Sequence, residues 1–298
     1  LRRSQHHGVE LSGQYLRHWI CNGSNLRINP NPNGSSQCLV TTDTAITGAT
    51  SVTGVGYTNA IPAAGTTALY AIDSGADALV RIGSDPAVGT AGDPGNPNSG
   101  VATAIGPLGA DLGSTDAFLI DGRNNGALLA GSSAGASAST LYTVNLMTGA
   151  ATASGTIGGG LGTPSAPTLR GLALTTGTTL KVYALTSDNH LLSFSQTGNA
   201  LMPNTVTDVA ITGLSAGENL LGIDTRPANS LLYGVSSQNR VYVINTSTGL
   251  ATLSSTLAAD AADSTAPFAT VATGETFGTD FNPGQVANAR ELASAMGK

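Results

Sequence analysis

One unit recurs along the chain and constrains the fold more than any other feature: an apolar strand, a turn that ends in Gly, and a strand of small residues. The two clearest copies are residues 141–149 (LYTVNLMTG) and 241–249 (VYVINTSTG). Weaker copies place the turn glycine at Gly34, Gly83 and Gly198. A strand presents alternate residues to opposite faces, and the turn needs a positive φ that Gly adopts without strain. The repeat therefore predicts an all-β fold.

The spacing of the repeat predicts a β-propeller. Successive turn glycines are separated by 49, 66, 49 and 51 residues, and the long gap contains a Gly/Pro/Asn/Asp-rich insert at residues 84–100. Without the insert the period is about 50 residues, which suits four strands per unit. Five short apolar segments precede these units and are predicted to be the innermost strands. They begin near Val55, Ala117, Gly171, Leu220 and Phe277. We therefore predict five blades, with six as the alternative.

The chain ends are predicted to share one blade, in a single domain over residues 1–298. The strand at residues 276–283 would pair with strands near residues 14–20 and 25–29, which closes the ring and removes open sheet edges. Cys21 and Cys38 would both lie in this blade, either bridged or as buried thiols. Residues 1–13 and 284–298 lack the repeat, and 286–296 has the composition of a short helix.

Charge and composition exclude several classes of protein. The chain has 12 basic and 18 acidic residues, a net charge of −6, and its basic residues are scattered. No basic stripe is available to neutralise phosphates, so nucleic-acid binding is not expected. No segment approaches the roughly 18 consecutive apolar residues of a membrane helix. Only two residues are Lys, while Thr, Ser, Gly and Asn are abundant. We take that composition to favour an extracytoplasmic location, secreted or periplasmic.

Several motifs resemble a bacterial family of secreted propellers of unknown function. They are GENLLGIDTRP (217–227), LYGV (232–235), VYVINTSTG (241–249), FGTDFNP (277–283) and SNLRINPN (24–31). The resemblance covers residues 22–283 and implies the propeller fold and secretion. In that family the DFNP strand usually runs directly into the NLRIN strand, whereas in this chain the two lie at opposite ends, as in a circular permutation. The chain more loosely resembles a calcium-dependent acyl-homoserine-lactone hydrolase derived from a metagenome.

Acidic residues bracket three of the predicted inner strands. Asp116, Glu218 and Glu275 precede these strands, and Asp121, Asp224 and Asp280 end them. Inner strands converge on the propeller axis, so the six carboxylates are candidates for two rings. Ca²⁺ takes about 6–8 oxygen ligands, so the rings predict a calcium site in the channel. Alternatively, Asp224 and Asp280 accept backbone N–H bonds in turns before Pro227 and Pro283.

The candidate catalytic residues are His190, Asp224 and Asp280. His190 lies in a predicted hairpin between the second and third strands of a blade, on the face where Glu218 begins the next inner strand. A His on that face is suited to activate water near neutral pH. We therefore predict a calcium-dependent hydrolase that opens a small-molecule lactone or ester, such as an acyl-homoserine lactone. The alternative is a non-catalytic secreted propeller that binds a protein or glycan through loops such as the 84–100 insert.

Overall fold

The chain is almost entirely β-structure in the part that the computed structural model describes. That part comprises residues 16–20, 23–29, 37–61, 64, 67–83, 97–113, 117–133, 138–157, 168–175, 180–197, 200–201, 206–264, 267–271 and 277–283. It contains 21 strands and one short 3₁₀-helix, Pro97–Ser99. No helix in these ranges is long and apolar enough to span a membrane. The all-β prediction is confirmed, whereas the helix predicted at 286–296 lies outside the described residues.

The strands form four sheets arranged as a β-propeller. From its inner to its outer strand, the first sheet contains β4 (Val52–Tyr57), β5 (Leu69–Asp73), β6 (Ala78–Ile82) and β7 (Ala102–Pro107). The second contains, in the same direction, β8 (Ala117–Ile120), β9 (Ala127–Gly131), β10 (Thr140–Val144) and β11 (Ala151–Thr156). The third contains β12 (Leu169–Leu174), β13 (Lys181–Thr186) and β14 (His190–Thr197), with β15 (Ala200–Leu201) and β16 (Thr207–Ala210) both paired to β14.

The fourth sheet has eight strands and contains both ends of the repeat region. One half runs through β17 (Leu220–Thr225), β18 (Leu232–Ser236), β19 (Arg240–Ile244) and β20 (Ala251–Ala259). The other half runs through β21 (Phe277–Phe281), β1 (Leu16–Ile20), β2 (Asn25–Asn29) and β3 (Gln37–Thr42). The predicted pairing of the chain ends is present, because β21 is antiparallel to β1.

The predicted five blades are not found as five separate sheets. The two halves of the eight-stranded sheet are joined by a short parallel pairing of β20 with β3, at residues 256–259 and 37–40. Strand β20 is nine residues long, so it continues past its antiparallel partner β19 and reaches the neighbouring strand. The β20–β3 pairing joins the outer strands of two units that the repeat predicts to be separate.

Five strands occupy the inner positions, as the sequence predicted, and they pack closely. Each of β4, β8, β12, β17 and β21 contacts the next one, and β21 contacts β4 in turn. Glycine makes the close approach possible: a Cβ atom at Gly278 would lie 2.8 Å from the Val55 nitrogen, and one at Gly171 would lie 2.9 Å from the Ile223 nitrogen. Described residues of these strands, among them Gly54, Gly171 and Gly278, line a small void of about 10 Å³.

A repeated side-chain bond ties three of the units to the next unit along the chain. Asp77, Asn189 and Asn239 occupy hairpin turns between second and third strands, with φ of 46°, 62° and 59°. Asp and Asn tolerate this left-handed conformation better than most residues. Their side-chain oxygens accept bonds from the main-chain N–H groups of Leu112 (3.0 Å), Leu220 (2.9 Å) and Val271 (2.7 Å). Each donor begins or precedes the next inner strand, so the hairpins fix the spacing between units.

Apolar side chains fill the space between neighbouring sheets and between the two halves of the large sheet. Tyr233 of β18 packs edge-to-face on Phe281 of β21, with ring centroids 5.4 Å apart. Cys38 lies in the same layer as a free, buried thiol, 2.7 Å from the Ser255 hydroxyl. Burial raises the pKa of this thiol, against the lowering effects of Ser255 and of the Arg226 charge. Cys21 lies outside the described residues.

Candidate functional site

The inner strands bring some of the predicted carboxylates to one cavity and separate others. Asp121, Asp224 and Asp280 line a cavity of about 110 Å³ at the carboxyl ends of the inner strands. Glu218 lies at the opposite end of β17, away from that cavity. The other two predicted ligands, Asp116 and Glu275, lie outside the described residues.

Asp224 and Asp280 form a pair of interacting carboxyl groups at the cavity floor. They come from neighbouring inner strands, β17 and β21. The Asp224 carboxylate accepts the N–H groups of Thr225 and Phe281, each at 2.7 Å. The Asp280 carboxylate accepts the N–H of Tyr57, also at 2.7 Å. Inner strands have one unpaired edge facing the axis, so these carboxyls also satisfy N–H groups that have no strand partner.

Burial changes the protonation of this pair. Asp280 is 6 % exposed, and Asp224 is partly exposed toward the cavity. Burial raises the pKa of Asp224 to about 7, against the lowering effect of its hydrogen bonds. The pKa of Asp280 is raised well above its usual value by burial and then by the charge of Asp224. The pair therefore takes up and releases a proton near neutral pH, with the proton retained longest on Asp280.

The cavity walls are mostly apolar, and an ion pair in the lining lies beside them. Apolar lining is supplied by Leu119, Ile120, Leu174, Phe281, Pro227 and Ile61. The Arg123 guanidinium bonds the Asp121 carboxylate through Nε and Nη2, at 2.9 and 2.8 Å. Burial acts to raise the pKa of Asp121, but the bonds and charge of Arg123 outweigh it and hold that pKa below its usual value. The ionised Asp121 is therefore neutralised by its own loop.

The loops around this cavity are held together by main-chain packing. Asn59 and Asn125 bond each other twice: the Asn59 N–H donates to the Asn125 amide oxygen at 2.7 Å, and the Asn125 amide donates back at 3.1 Å. A Cβ atom at Gly122 would lie 2.4 Å from the carbonyl carbon of Ala60. Only Gly allows the two backbones to approach this closely, so the rim between the first two sheets has a fixed shape.

Glu218 is surrounded by hydrogen-bond donors of the protein, and its predicted role as a metal ligand stays a prediction. Its side chain has no exposed surface. It accepts bonds from the Ser215 N–H (3.0 Å), the Tyr242 hydroxyl (2.8 Å), Arg240 Nη1 (3.1 Å) and the Ser236 hydroxyl. Burial acts to raise the pKa of Glu218, but these bonds and the Arg240 charge lower it overall. The carboxylate is therefore ionised, with both oxygens already engaged by the protein.

His190 begins β14 in the predicted hairpin position, but its ring bonds a different partner from those expected. Nδ1 lies 2.7 Å from Oδ1 of Asp208 on β16, and both side chains are more than a third exposed. The hairpin does lie beside the start of β17, because the Asn189 amide donates to the Glu218 carbonyl. The donors that surround the Glu218 carboxylate come from other residues than His190. Its predicted catalytic role stays a prediction, at a site separate from the cavity.

The Asp224–Asp280 pair supplies two of the carboxyl groups predicted as calcium ligands, and calcium binding there stays a prediction. Ca²⁺ requires several ionised or carbonyl oxygens with free lone pairs. In this cavity the two carboxyls hold at least one proton between them near pH 7, and they already accept three N–H bonds. Across the described ranges, no group of three or more His, Cys, Asp or Glu side chains is placed to hold a metal ion.

Sequence reasoning missed Arg123 and Asp208 as partners of predicted site residues. A signal for Arg123 was present, because Asp121-Gly-Arg123 places a cation two residues after an acid in a turn. Asp208 carries no local signal. It meets His190 only because β16 pairs with β14 across an 18-residue separation.

Comparisons with known proteins identify a family and a distant structural neighbour. No curated protein matches this chain. A luciferin-regenerating enzyme of known structure is 13 % identical, over 81 % of this chain and 75 % of that one, with a TM-score of 0.43. The profile of a family described as a domain of unknown function, DUF4394, matches residues 14–173 and 191–290, which is most of the chain. The protein belongs to this family, DUF4394.

Proposed function

We propose that this protein is a hydrolase that opens a small lactone or related ester, with the Asp224–Asp280 pair as its acid–base group. The observation that supports this most directly is the pair of interacting carboxyl groups that lines an apolar-walled cavity. Two carboxyl groups with raised and unequal pKa values can divide the roles of base and acid between them at neutral pH.

The unequal environments assign the two roles. Asp224 is partly exposed to the cavity and loses its proton near pH 7, so it is the base that takes a proton from water. The hydroxide equivalent bonds to the carbonyl carbon, while protonated Asp280 donates its proton to the carbonyl oxygen. The carbon–oxygen bond to the leaving alkoxide then breaks, the alkoxide takes the proton held by Asp224, and Asp280 recovers its proton from the tetrahedral hydroxyl. The net change is addition of one water across the ester bond.

The cavity size limits the part of the substrate that reaches the pair. About 110 Å³ is less than an engineered cavity of roughly 150 Å³ that holds one benzene molecule. A single small ring or a short acyl group therefore fits at the floor, and any longer chain must extend past the rim. Ile61, which is 45 % exposed at that rim, offers apolar surface to such a chain.

Calcium dependence is a separate proposal, since the reaction above needs no metal. The carboxyl pair could contribute ligands only after losing its protons, with further oxygens supplied by the substrate or water. Metal analysis of the purified protein, with turnover measured in chelator and in added Ca²⁺, tests this proposal directly. Stoichiometric calcium and chelator-sensitive turnover would support it.

The function is tested by assaying purified protein on γ-butyrolactone, N-acyl-homoserine lactones and p-nitrophenyl acetate between pH 5 and 9. We expect ring opening or ester cleavage with kcat/KM rising through an inflection near pH 7, where Asp224 ionises. Turnover in excess chelator that equals the untreated rate would support the metal-free route. Absence of turnover above the buffer rate on every substrate would overturn the proposed function.

A second candidate is a non-catalytic propeller that binds a protein or glycan through its loops. It is favoured by the main-chain bonds of the pair, because an inner-strand N–H cap is a sufficient structural reason for a buried carboxyl. The insert at 84–100 remains the proposed contact, although residues 84–96 lie outside the described part. Loss of glycan or protein binding on deleting that insert, together with absent turnover in the intact protein, would favour this candidate.

We also propose that the eight-stranded sheet works as two blades, which gives five in all, in an extracytoplasmic protein. Support for five comes from the five inner strands that contact one another around the axis. Replacing Asp260 by Pro, which removes the bond from its N–H to the Val40 carbonyl at the end of the parallel β20–β3 pairing, tests the blade count. If the halves are separate blades, the variant keeps its fold and loses only part of its stability. Fractionation of a host that expresses the native gene tests the location.

A further inference from the structure

The cavity lining carries a net negative charge once the Asp224–Asp280 pair has lost its first proton. The charged lining residues are Asp121 and Arg123 at the rim and Asp224 and Asp280 at the floor. Asp121 and Arg123 neutralise each other. The floor then carries one net negative charge with a shared proton, and the groups nearest to it are neutral N–H donors from Thr225, Phe281 and Tyr57.

A negative charge on this floor is poorly compensated. The walls above the pair are aliphatic and aromatic carbon, which cannot replace the hydration that a carboxylate loses on burial. Unpaired charges in such surroundings are costly unless a counter-ion reaches them. The cavity is open and partly exposes Asp224, so a counter-ion from solvent can reach the floor.

We propose that the cavity binds small primary ammonium compounds with a short apolar body, with the ammonium group on the Asp224–Asp280 pair and the body against the apolar walls. The ammonium supplies three N–H donors and a positive charge, which match the free lone pairs and the net charge of the pair. The proposal concerns the cavity of the proposed function, but it does not require turnover. In that setting the amine is also a competitive inhibitor of hydrolysis.

Binding of the ammonium ion is linked to loss of a proton. An aliphatic amine is charged throughout the range from pH 5 to 9. Well below pH 7 the pair is almost fully protonated, so each bound ammonium displaces one proton and affinity rises about tenfold per pH unit. Above pH 7 the first proton has already left, and affinity becomes independent of pH. A neutral ligand held only by the apolar walls would show no such rise.

The test compares n-butylammonium with n-butanol, which has the same chain and no charge. Ligand-observed NMR titrations of the full chain at pH 5.5, 6.5, 7.5 and 8.5 give the affinities. We expect butylammonium to bind about tenfold more tightly at pH 6.5 than at 5.5 and to level off above 7.5, with butanol weaker and unchanged. Equal binding of the two ligands, or a flat pH profile for the amine, would overturn the inference.

Two variants localise the bound amine. Asp224→Asn removes the partly exposed carboxylate and is expected to abolish butylammonium binding. Asp111→Asn makes the same charge change at an exposed residue outside the cavity and is expected to leave affinity within twofold. Butylammonium binding that is retained in Asp224→Asn would also overturn the inference. If Asp224→Asn does not fold, the pH profile of butylammonium binding to the native protein tests the inference. Hydrolysis without amine binding refutes only this inference, and amine binding without hydrolysis refutes only the proposed function.

Discussion

Strand β17 has an acidic residue near each end, Glu218 fully buried and Asp224 half-buried, and the pKa values of the two shift in opposite directions. Glu218, just before the strand, is ionised because four donors, one of them the Arg240 guanidinium, surround its two oxygens. Asp224, near the end of the strand, has two neutral N–H donors and a second carboxyl as its neighbours. The pKa is lowered at the first site and raised at the second.

The difference shows that burial alone does not mark a functional carboxylate. Burial raises the pKa at both sites, and the number and charge of the donors decide whether the carboxylate form survives. At Glu218 the protein itself supplies donors to both carboxylate oxygens. At Asp224 and Asp280 the protein supplies less than the charged form needs, and a cavity lies alongside. The candidate functional feature of this protein is therefore a carboxyl pair whose charged form has too few hydrogen-bond donors and which lies next to an accessible cavity.

The largest effect on stability is expected from Glu218→Ala. The substitution leaves the buried hydroxyls of Ser236 and Tyr242 without their acceptor and removes the partner of Arg240. We expect the free energy of unfolding at pH 7 to fall by about 3 kcal/mol, measured by urea denaturation. Ser236→Ala, which removes a single donor, should cost about 1 kcal/mol. A loss below 1 kcal/mol for Glu218→Ala would mean that the donors have other partners and would break the comparison.

Asp224→Asn is expected to lower hydrolytic activity strongly and to change stability little, whereas Glu218→Ala acts mainly on stability. The amide cannot act as a base, so kcat/KM for lactone or ester hydrolysis should fall by about 100-fold or more. The amide oxygen can still accept the N–H of Phe281, while the bond from the Thr225 N–H to the other oxygen is lost, so the urea midpoint at pH 7 should change little. If Asp224→Asn lowers the free energy of unfolding as much as Glu218→Ala is expected to, both sites are structural and the cavity has no special role.

The repeat predicted the inner strands because its signals are local. Each inner strand is a short apolar segment at a fixed place in the repeat, and a turn glycine follows the third strand of the unit. Gly83, Gly149 and Gly249 have φ of 79°, 82° and 71°, as the turn chemistry required. The number of sheets could not be predicted in this way. It depends on the pairing of β20 with β3, whose residues are more than 200 positions apart and carry no signal of their own.

The same reasoning explains what the sequence could say about the carboxylates. Their positions before and after an inner strand follow from the repeat, so it was predictable that Asp224 and Asp280 lie at the same end. The charge states of these carboxyl groups could not be predicted, because the hydrogen-bond donors that determine their pKa values come from other strands. Glu218 is fixed by Tyr242 and Arg240 on β19, and Asp280 by the Tyr57 N–H on β4. A sequence pattern alone therefore could not separate a proton-sharing pair from a ring of calcium ligands.

The pH dependence of stability sharpens the comparison further. The folded pKa values of Asp224 and Asp280 lie above the unfolded value near 3.8, so the folded state holds more protons. The pair therefore stabilises the fold fully below about pH 4, and this stability is lost as pH rises to about 7 and beyond. We expect the pair to contribute a fall of about 2–4 kcal/mol across that range. Urea titrations at pH 4.5, 6 and 8 measure it.

Asp280→Asn should flatten this dependence, because the amide mimics the protonated acid and can still accept the Tyr57 N–H. At pH 8 the variant is expected to be more stable than the native protein, and at pH 4.5 the two should be nearly equal. Glu218→Gln provides the contrast, because a lowered folded pKa gives stability that is lost as pH falls. A native protein with the same stability at pH 4.5 and 8 would show that the carboxyls are ionised throughout.

The smallest effect is expected from His190→Ala. This variant tests whether hydrolysis occurs at the start of the inner strands instead of at their carboxyl ends. The His190–Asp208 pair is more than a third exposed, and exposed ion pairs contribute at most about 1 kcal/mol. We expect hydrolytic kcat/KM to change by less than twofold and the urea midpoint to shift only slightly. His190→Gln, which retains a polar side chain, should match it. A tenfold or greater loss of turnover in both variants, with Asp224→Asn still active, would move the catalytic site to the Glu218 end of β17 and reverse the roles assigned to the two regions.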